Sequence, residues 1–236
     1  MRDKRVFRFK QFSVAHDNAT MKVGTDGVLL GAWTLVDEAK RILDVGTGTG
    51  VIALILAQRS SWQAHIDAID ISMDAFRQAC TNVHNSPWPT KISVHHSALQ
   101  DFEATPYDLI VSNPPYFNNS YKPPEALRTQ ARHTETLSHE ALLQHTKRLL
   151  APGGKLNLIL PVAEGNLLLD RARQMDWYCS RQCTFRSRKE KPAERLLLEL
   201  QLQATPMIEQ ELTLYEKDEA WSADYQKLTR DFYLKI

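Results

Sequence analysis

Between residues 41 and 160 the chain alternates short apolar runs with stretches whose apolar residues recur every three or four positions. "RILDV" (41–45) leads through a glycine-rich turn into "GVIALILAQR", and "IDAIDI" (66–71) leads into "MDAFRQACTNVH". "KISVHH" (91–96) and "YDLIVS" (107–112) are two more runs of the first kind. After a polar stretch come a helical period opening near Ser138 ("SHEALLQHTKRLL"), a stop at Pro152, Gly153 and Gly154, and the run "KLNLIL" (155–160). Apolar strands separated by helices of this length predict a parallel sheet covered on both faces, a three-layered α/β architecture.

The rhythm changes after residue 176. "WYCSRQCTF" (177–185) and "RLLLELQL" (195–202) are strand-like runs joined by the charged "RSRKEKPAE", with no room for a crossover helix. They are expected to pair antiparallel as a hairpin. The pattern divides into an N-terminal extension over residues 1–40 and one domain over residues 41–236.

Composition excludes more than it selects. Hydrophobic residues make up 43% and charged residues 24% of 236, ordinary globular values, and a domain this size buries roughly 70–75% of its unfolded surface. The N-terminal "MRDKRVFRFKQF" has no apolar signal region, and no apolar run approaches the ~20 residues that span a bilayer. The expectation is a cytoplasmic protein. Cys80, Cys179 and Cys183 are odd in number and lack CxxC spacing, which suits a reducing compartment, with neither a disulfide framework nor a metal site.

The net charge of +1 hides an uneven distribution. Residues 1–10 carry five Lys/Arg against Asp3, and residues 171–195 carry eight against Asp176, Glu190 and Glu194. Residues 207–221 reverse this, with five acids and only Lys217. Two basic patches suit a polyanionic partner as readily as they suit solvated faces.

"LDVGTGTG" (43–50) sits between a predicted strand and a predicted helix, which places Gly46, Gly48 and Gly50 where a ligand would approach the backbone. Val51 occupies the last place of a dinucleotide fingerprint and no Lys follows Gly50, so phosphate binding is disfavoured. Asp44, just before the loop, suits a ligand bearing an ammonium or sulfonium group. Asp70, ending the next strand, suits both hydroxyls of a ribose; the other reading is a helix cap, for which Ser72 is better placed. Beside Asp70 stands Ile71, and a third strand end, "HHSALQD" (95–101), would bring Ser97, Ala98 and Leu99 over an adenine.

"DVGTGTG", "AIDIS" and "SNPPY" in this order and spacing resemble the class I S-adenosylmethionine-dependent methyltransferases that modify the exocyclic amine of adenine. The resemblance covers residues ~40–165. It implies a Rossmann-like, mostly parallel seven-stranded sheet with the C-terminal antiparallel hairpin, and S-adenosylmethionine as methyl donor. It also implies roles for Asn113 and Pro114, whose side-chain and main-chain oxygens would accept from the target amine. Pro115 would stiffen the turn, and Tyr116 would stack on the base. In isolation "NPPY" is an ordinary strand-ending turn.

The substrate is less constrained, because variants of this motif also act on glutamine amides and guanine amines. "FRFKQFSVAHDNATMKVGTDGVLLGAW" (7–33) resembles the start of bacterial tRNA adenine-N6 methyltransferases acting beside the anticodon, in particular at adenine 37 of a valine tRNA. That likeness would put the extension near the active site, with Lys22, Thr25 and Asp26 close to cofactor and base. The alternative is a surface turn built on "GTDG". The polar segment 117–138, with Arg128, Arg132 and His133, is a plausible substrate flap. Arg186, Arg188, Lys189 and Lys191 in the basic hairpin suit tRNA phosphates, and a loop base is cheaply splayed out. Glutamine methylation of release factors is the main rival, disfavoured by the short extension. DNA methylation lacks a target-recognition domain, and a non-catalytic binding module sits poorly with intact motifs. No obligate protein partner is evident, and a monomer is expected.

Overall fold

The computed structural model describes residues 6–16, 23–115, 137–216 and 219–234. In chain order the elements are β1 (Val6–Arg8), β2 (Ser13–Ala15), α1 (Thr25–Trp33), β3 (Arg41–Val45), α2 (Val51–Arg59), β4 (His65–Asp70), α3 (Met73–His84), β5 (Ile92–His96) and β6 (Tyr107–Ser112). They continue with α4 (His139–Leu149), β7 (Leu150–Pro161), α5 (Val162–Gln174), β8 (Tyr178–Arg186), β9 (Arg195–Gln201), β10 (Ile208–Thr213) and α6 (Ala223–Thr229).

The seven expected strands, β3 to β9, are present, and β10 adds an eighth in the order β10-β8-β9-β7-β6-β3-β4-β5. Strands β3 to β7 pair in parallel, and β9 runs antiparallel to both β7 and β8. β10 returns parallel to β8. Periodicity could not announce it: in "IEQELT" only Leu212 is buried. From β3 the chain winds outward through β4 and β5, then returns to β6 on the other side of β3. This reversal opens a crevice at the carboxyl ends of β3 and β6, where α/β sheets bind ligands.

Local sequence explains the element ends. Ser72 and Ser138 cap α3 and α4, their hydroxyls accepting from the N–H groups of Ala75 (3.3 Å) and Ala141 (3.1 Å). β7 begins earlier than expected, at Leu150, and the 152–154 stop is absorbed as an irregularity in its pairing with β6.

Apolar side chains gather on both faces of the sheet. One cluster joins Phe9, Phe12, Val14, Val28, Leu29 and Leu30 to Ile52, Ile55 and Ile66; the other joins Leu43 and Ile110 to Leu142, Leu168 and Leu198. "GTDG" is therefore the start of a buried helix, not a surface turn. A Cβ at Gly31 would lie 2.8 Å from Ile55 Cγ2, so glycine there permits the close approach of α1 and α2. At the far end of α1 the Arg181 guanidinium stacks 3.8 Å over Trp33, donates to the Trp33 carbonyl (3.2 Å) and pairs with buried Glu199 (3.1 Å). This clamps the β8–β9 hairpin to α1.

Where the sheet is covered by loop 97–106 instead of a helix, a polar cluster fills the gap. Asp67 Oδ2 accepts from the Tyr107 hydroxyl (2.7 Å), and its Oδ1 lies 2.9 Å from His95 Nε2. Burial, then Asp67, pushes the Tyr107 phenol up. No described helix is long and apolar enough to cross a membrane.

Candidate active site

The glycine loop leaves β3 and crosses over the end of β4. Gly46, Gly48 and Gly50 have φ of 71°, 58° and 82°, a region that side-chain-bearing residues rarely adopt. The N–H groups of Gly46 and Thr47 both donate to the Ile69 carbonyl, at 2.9 and 3.0 Å. A Cβ built at Gly46 or Gly48 would meet no protein atom within 4 Å. The space beside the loop is therefore open, and the wall can approach a ligand with bare backbone.

Asp44 departs from expectation. Its side chain turns into the α2 face of the sheet, 0% exposed, and it is not part of the cavity wall. Oδ2 accepts from the Thr47 hydroxyl (2.6 Å) and the Ala53 N–H (3.2 Å), so the carboxylate braces the loop from beneath. Oδ1 has no hydrogen-bond partner among the described residues. Burial pushes this carboxyl up to about 7, opposed by the two hydrogen bonds and aided slightly by the charge of Asp70.

Asp70 stands at the lip. Its Oδ2 accepts from Gly48 N–H and its Oδ1 from Ser72 N–H, both at 2.8 Å. Each carboxylate oxygen retains a further acceptor site. Ser97 N–H donates to the Asp70 carbonyl (3.1 Å), which brings Ser97, Ala98 and buried Leu99 into the same wall as Ile71, 54% exposed.

The cavity encloses about 650 Å³, within the usual range for small-molecule sites. Across from Asp70 it is closed by Ser112, Asn113, Pro114 and Pro115. Ser112 Oγ donates to the Val45 carbonyl (2.8 Å), tying the end of β6 to β3. The side-chain oxygen of Asn113 is buried and has no hydrogen-bond partner among the described residues. A buried amide oxygen without a donor costs free energy until a ligand N–H reaches it.

The remaining wall comes from distant parts of the chain. Thr25 and Asp26, in the first turn of α1, line it together with Phe185, Glu194, Arg195, Leu137 and Leu214. Asp26 Oδ2 accepts from Arg195 Nε at 2.8 Å. Sequence reasoning missed Arg195, Phe185 and Leu214; an aromatic at a strand end was the one visible signal. Lys22, Tyr116, Arg128, Arg132, His133 and nearly all of the 117–138 segment lie outside the described residues. Arg186 and Arg188 do not enter the cavity wall: they pair with Glu211 (3.2 Å) and Glu219 (3.0 Å) of the acidic tail. Lys189 and Lys191 are exposed beside them. No group of metal ligands exists among the described residues.

The sequence profile of the methyltransferase small domain family matches residues 20–167, which contain the glycine loop, Asp70 and Asn113. The chain belongs to this family. Two full-length relatives are both named tRNA1(Val) (adenine(37)-N6)-methyltransferase. The one from Tolumonas auensis is 45% identical over 230 residues, covering 98% of this chain and 97% of its own. The one from Parabacteroides distasonis is 47% identical over 236 residues, covering 98% of each. Among solved structures, a predicted O-methyltransferase, Atu636 of Agrobacterium tumefaciens, superposes with a TM-score of 0.70 at 18% identity, covering 88% of this chain and 96% of that one. P. horikoshii TYW2, solved with MeSAdo, gives 0.59 at 14% identity, covering 83% and 69%. These structures establish the methyltransferase fold of the family member described here, and the family implies use of S-adenosylmethionine.

Proposed function

We infer that the protein transfers a methyl group from S-adenosylmethionine to the N6 amine of adenine 37 in the anticodon loop of a valine tRNA. The observation that carries this reading is the buried oxygen of Asn113, without a hydrogen-bond partner among the described residues, on the wall opposite Asp70. The cofactor end fits the donor's chemistry. Bare backbone at Gly46 and Gly48 leaves room for a ligand, Asp70 offers acceptors to ribose hydroxyls, and the described cavity wall carries Asp26, Asp70 and Glu194 against Arg195 alone. That balance favours a cationic ligand.

When bound, S-adenosylmethionine supplies a methyl group on a sulfonium, ready for in-line displacement. The residues must supply geometry. The adenine N6 lone pair is delocalised into the ring, so the amine has to be held with that lone pair aimed at the methyl carbon. Asn113 Oδ1 and the Pro114 carbonyl would each accept one N6 hydrogen and draw the nitrogen towards tetrahedral geometry. Pro114 and Pro115 fix φ and keep those carbonyls in place. Tyr116 would stack on the base, a contact worth ~1–3 kcal/mol. No base need act before transfer, since the methylated amine loses its extra proton afterwards.

Nucleoside mass spectrometry of each tRNA species, with and without the gene, tests the reading. The N6-methyl mark should vanish from valine tRNA alone. Labelled methyl transfer to a release factor or DNA, but not to tRNA, would replace this reading with one of its rivals.

A further inference from the structure

Asn82, in the last turn of α3, is buried, and its amide holds two other parts of the chain at once. Oδ1 accepts from the Ala15 N–H and Nδ2 donates to the Ala15 carbonyl, both at 2.9 Å. These are the bonds a neighbouring strand would supply at the end of β2. Nδ2 also donates to the Thr49 carbonyl at 2.8 Å. Thr49 lies in the cavity wall, between Gly48 and Gly50 of the glycine loop. The same face of α3 carries Ala75 and Ala79, at the helical spacing i, i+4 and i+7 that ends on Asn82. Ala75 belongs to the cavity wall, and a Cβ at Gly50 would lie 3.5 Å from that of Ala79. One buried amide therefore links the β1–β2 ribbon, α3 and the glycine loop.

We propose that Asn82 is a positioning residue that couples the seating of the N-terminal ribbon to the shape of the glycine loop, and so to affinity for the methyl donor. The inference rests on the methyl-donor reading above. A side chain that served the ribbon alone would need one acceptor and one N–H; the second N–H of Asn82 goes to the loop. With Ala15 in place, the amide plane is fixed from one side and aims that N–H at Thr49. If the ribbon lifts away, the buried amide loses two of its three bonds and is free to rotate, which releases the Thr49 carbonyl. A ligand that requires one shape of the loop therefore favours the seated ribbon, and the coupling acts equally in the other direction. The β1 end of the ribbon is remote from the cavity: Phe7 packs on Phe9, with ring centroids 4.8 Å apart, and does not belong to the cavity wall.

The test combines calorimetry with amide hydrogen exchange on the full chain, using S-adenosylhomocysteine as the ligand. The reporter is the Phe9 N–H, which donates to the Phe12 carbonyl (2.8 Å) in the turn of the ribbon. In the wild-type protein, saturating ligand should slow its exchange. Asn82→Ala should weaken the ligand by about 5- to 150-fold, the usual range of coupling between sites, and abolish the ligand's effect on Phe9. Phe7→Ala should weaken the ligand several-fold in the wild-type background and have no further effect in the Asn82→Ala background. If Asn82→Ala fails to fold, Asn82→Asp is read in its place, because it keeps the bond from Ala15 N–H and loses the one to Thr49. A lowered urea midpoint with unchanged ligand affinity makes Asn82 a structural residue and overturns the proposal. So does ligand protection of Phe9 that survives the substitution, or additive losses in the double variant. If the wild-type protein does not bind S-adenosylhomocysteine, the methyl-donor reading fails and the proposal with it, whereas binding without the coupling overturns the proposal alone.

Discussion

The two ends of the cavity are built from different kinds of contact. At the glycine-loop end the wall comes from neighbouring parallel strands, and the link from Gly48 N–H to Asp70 spans 22 residues. Asn113 follows from the next strand beside β3, braced by the Ser112 bond to Val45. At the hairpin end the wall is drawn from the first helix, the antiparallel hairpin and the tail, and its link from Arg195 to Asp26 spans 169 residues. Strand ends of a parallel sheet bring successive loops together automatically, so function there is written in short motifs. The hairpin end depends on pairings that no local pattern announces.

Breaking the first end should have the larger consequences. On the proposed function, Asn113→Ala removes an acceptor from the reacting amine, and transfer should fall by about 10²–10³-fold, the usual cost of one transition-state hydrogen bond. Calorimetric affinity for S-adenosylhomocysteine should stay within a few-fold, and retained turnover would show that Asn113 has another job. Asp70→Ala should weaken that ligand by about 10- to 100-fold. It also frees the N–H groups of Gly48 and Ser72, so part of the loss reflects a loosened loop.

A substitution behind the wall should act on stability instead. Gly31→Ala places a Cβ 2.8 Å from Ile55 Cγ2, and overpacking of this kind costs about 1–3 kcal/mol. A urea midpoint as high as wild type would mean that α1 is free to move away from α2.

Asp44 gives the glycine-loop end a pH signature. Folded, the carboxyl holds its proton up to about pH 7, against an ordinary value of 3.8. The folded state therefore binds more protons between these values, and this site's contribution to stability falls as pH rises through that window. Urea midpoints of Asp44→Asn relative to wild type should rise from pH 5 to about pH 7 and level off above it. A constant difference would mean that the buried carboxylate finds its compensation elsewhere.

The same contrast explains what could be read in advance. β3 to β7 were legible because they are apolar runs followed by helical periods. The placements of Gly46, Gly48, Gly50 and Asp70 followed from where those runs stop. Asp44 was misplaced because strand alternation, not proximity to the loop, decides which face a side chain takes, and only the packing of α2 reveals which face is filled. β10 went unseen because an edge strand with one buried residue has no hydrophobic signature. The acidic stretch 207–221 and the basic hairpin were visible as charge runs, but nothing local said that they pair with each other.

That pairing gives the smallest and most discriminating prediction. Arg186 and Arg188 already have partners in Glu211 and Glu219, whose side chains are 72% and 82% exposed. Ion pairs this wet contribute about 0–1 kcal/mol, so Glu219→Ala, which leaves the bond of Arg188 to the Glu216 carbonyl and its contact with the Tyr215 ring in place, should barely move the urea midpoint. Lys189 and Lys191 are exposed at the hairpin tip beside these pairs. A cation facing solvent releases its counterions to a phosphate without first breaking an internal pair. Neutralising Lys189 and Lys191 should therefore reduce the salt dependence of tRNA binding by up to about one unit of slope per contact. Neutralising Arg186 and Arg188 should change the slope less. The reverse order would mean that tRNA strips the acidic tail from the hairpin on binding, making the second end of the cavity a surface that rearranges around its substrate.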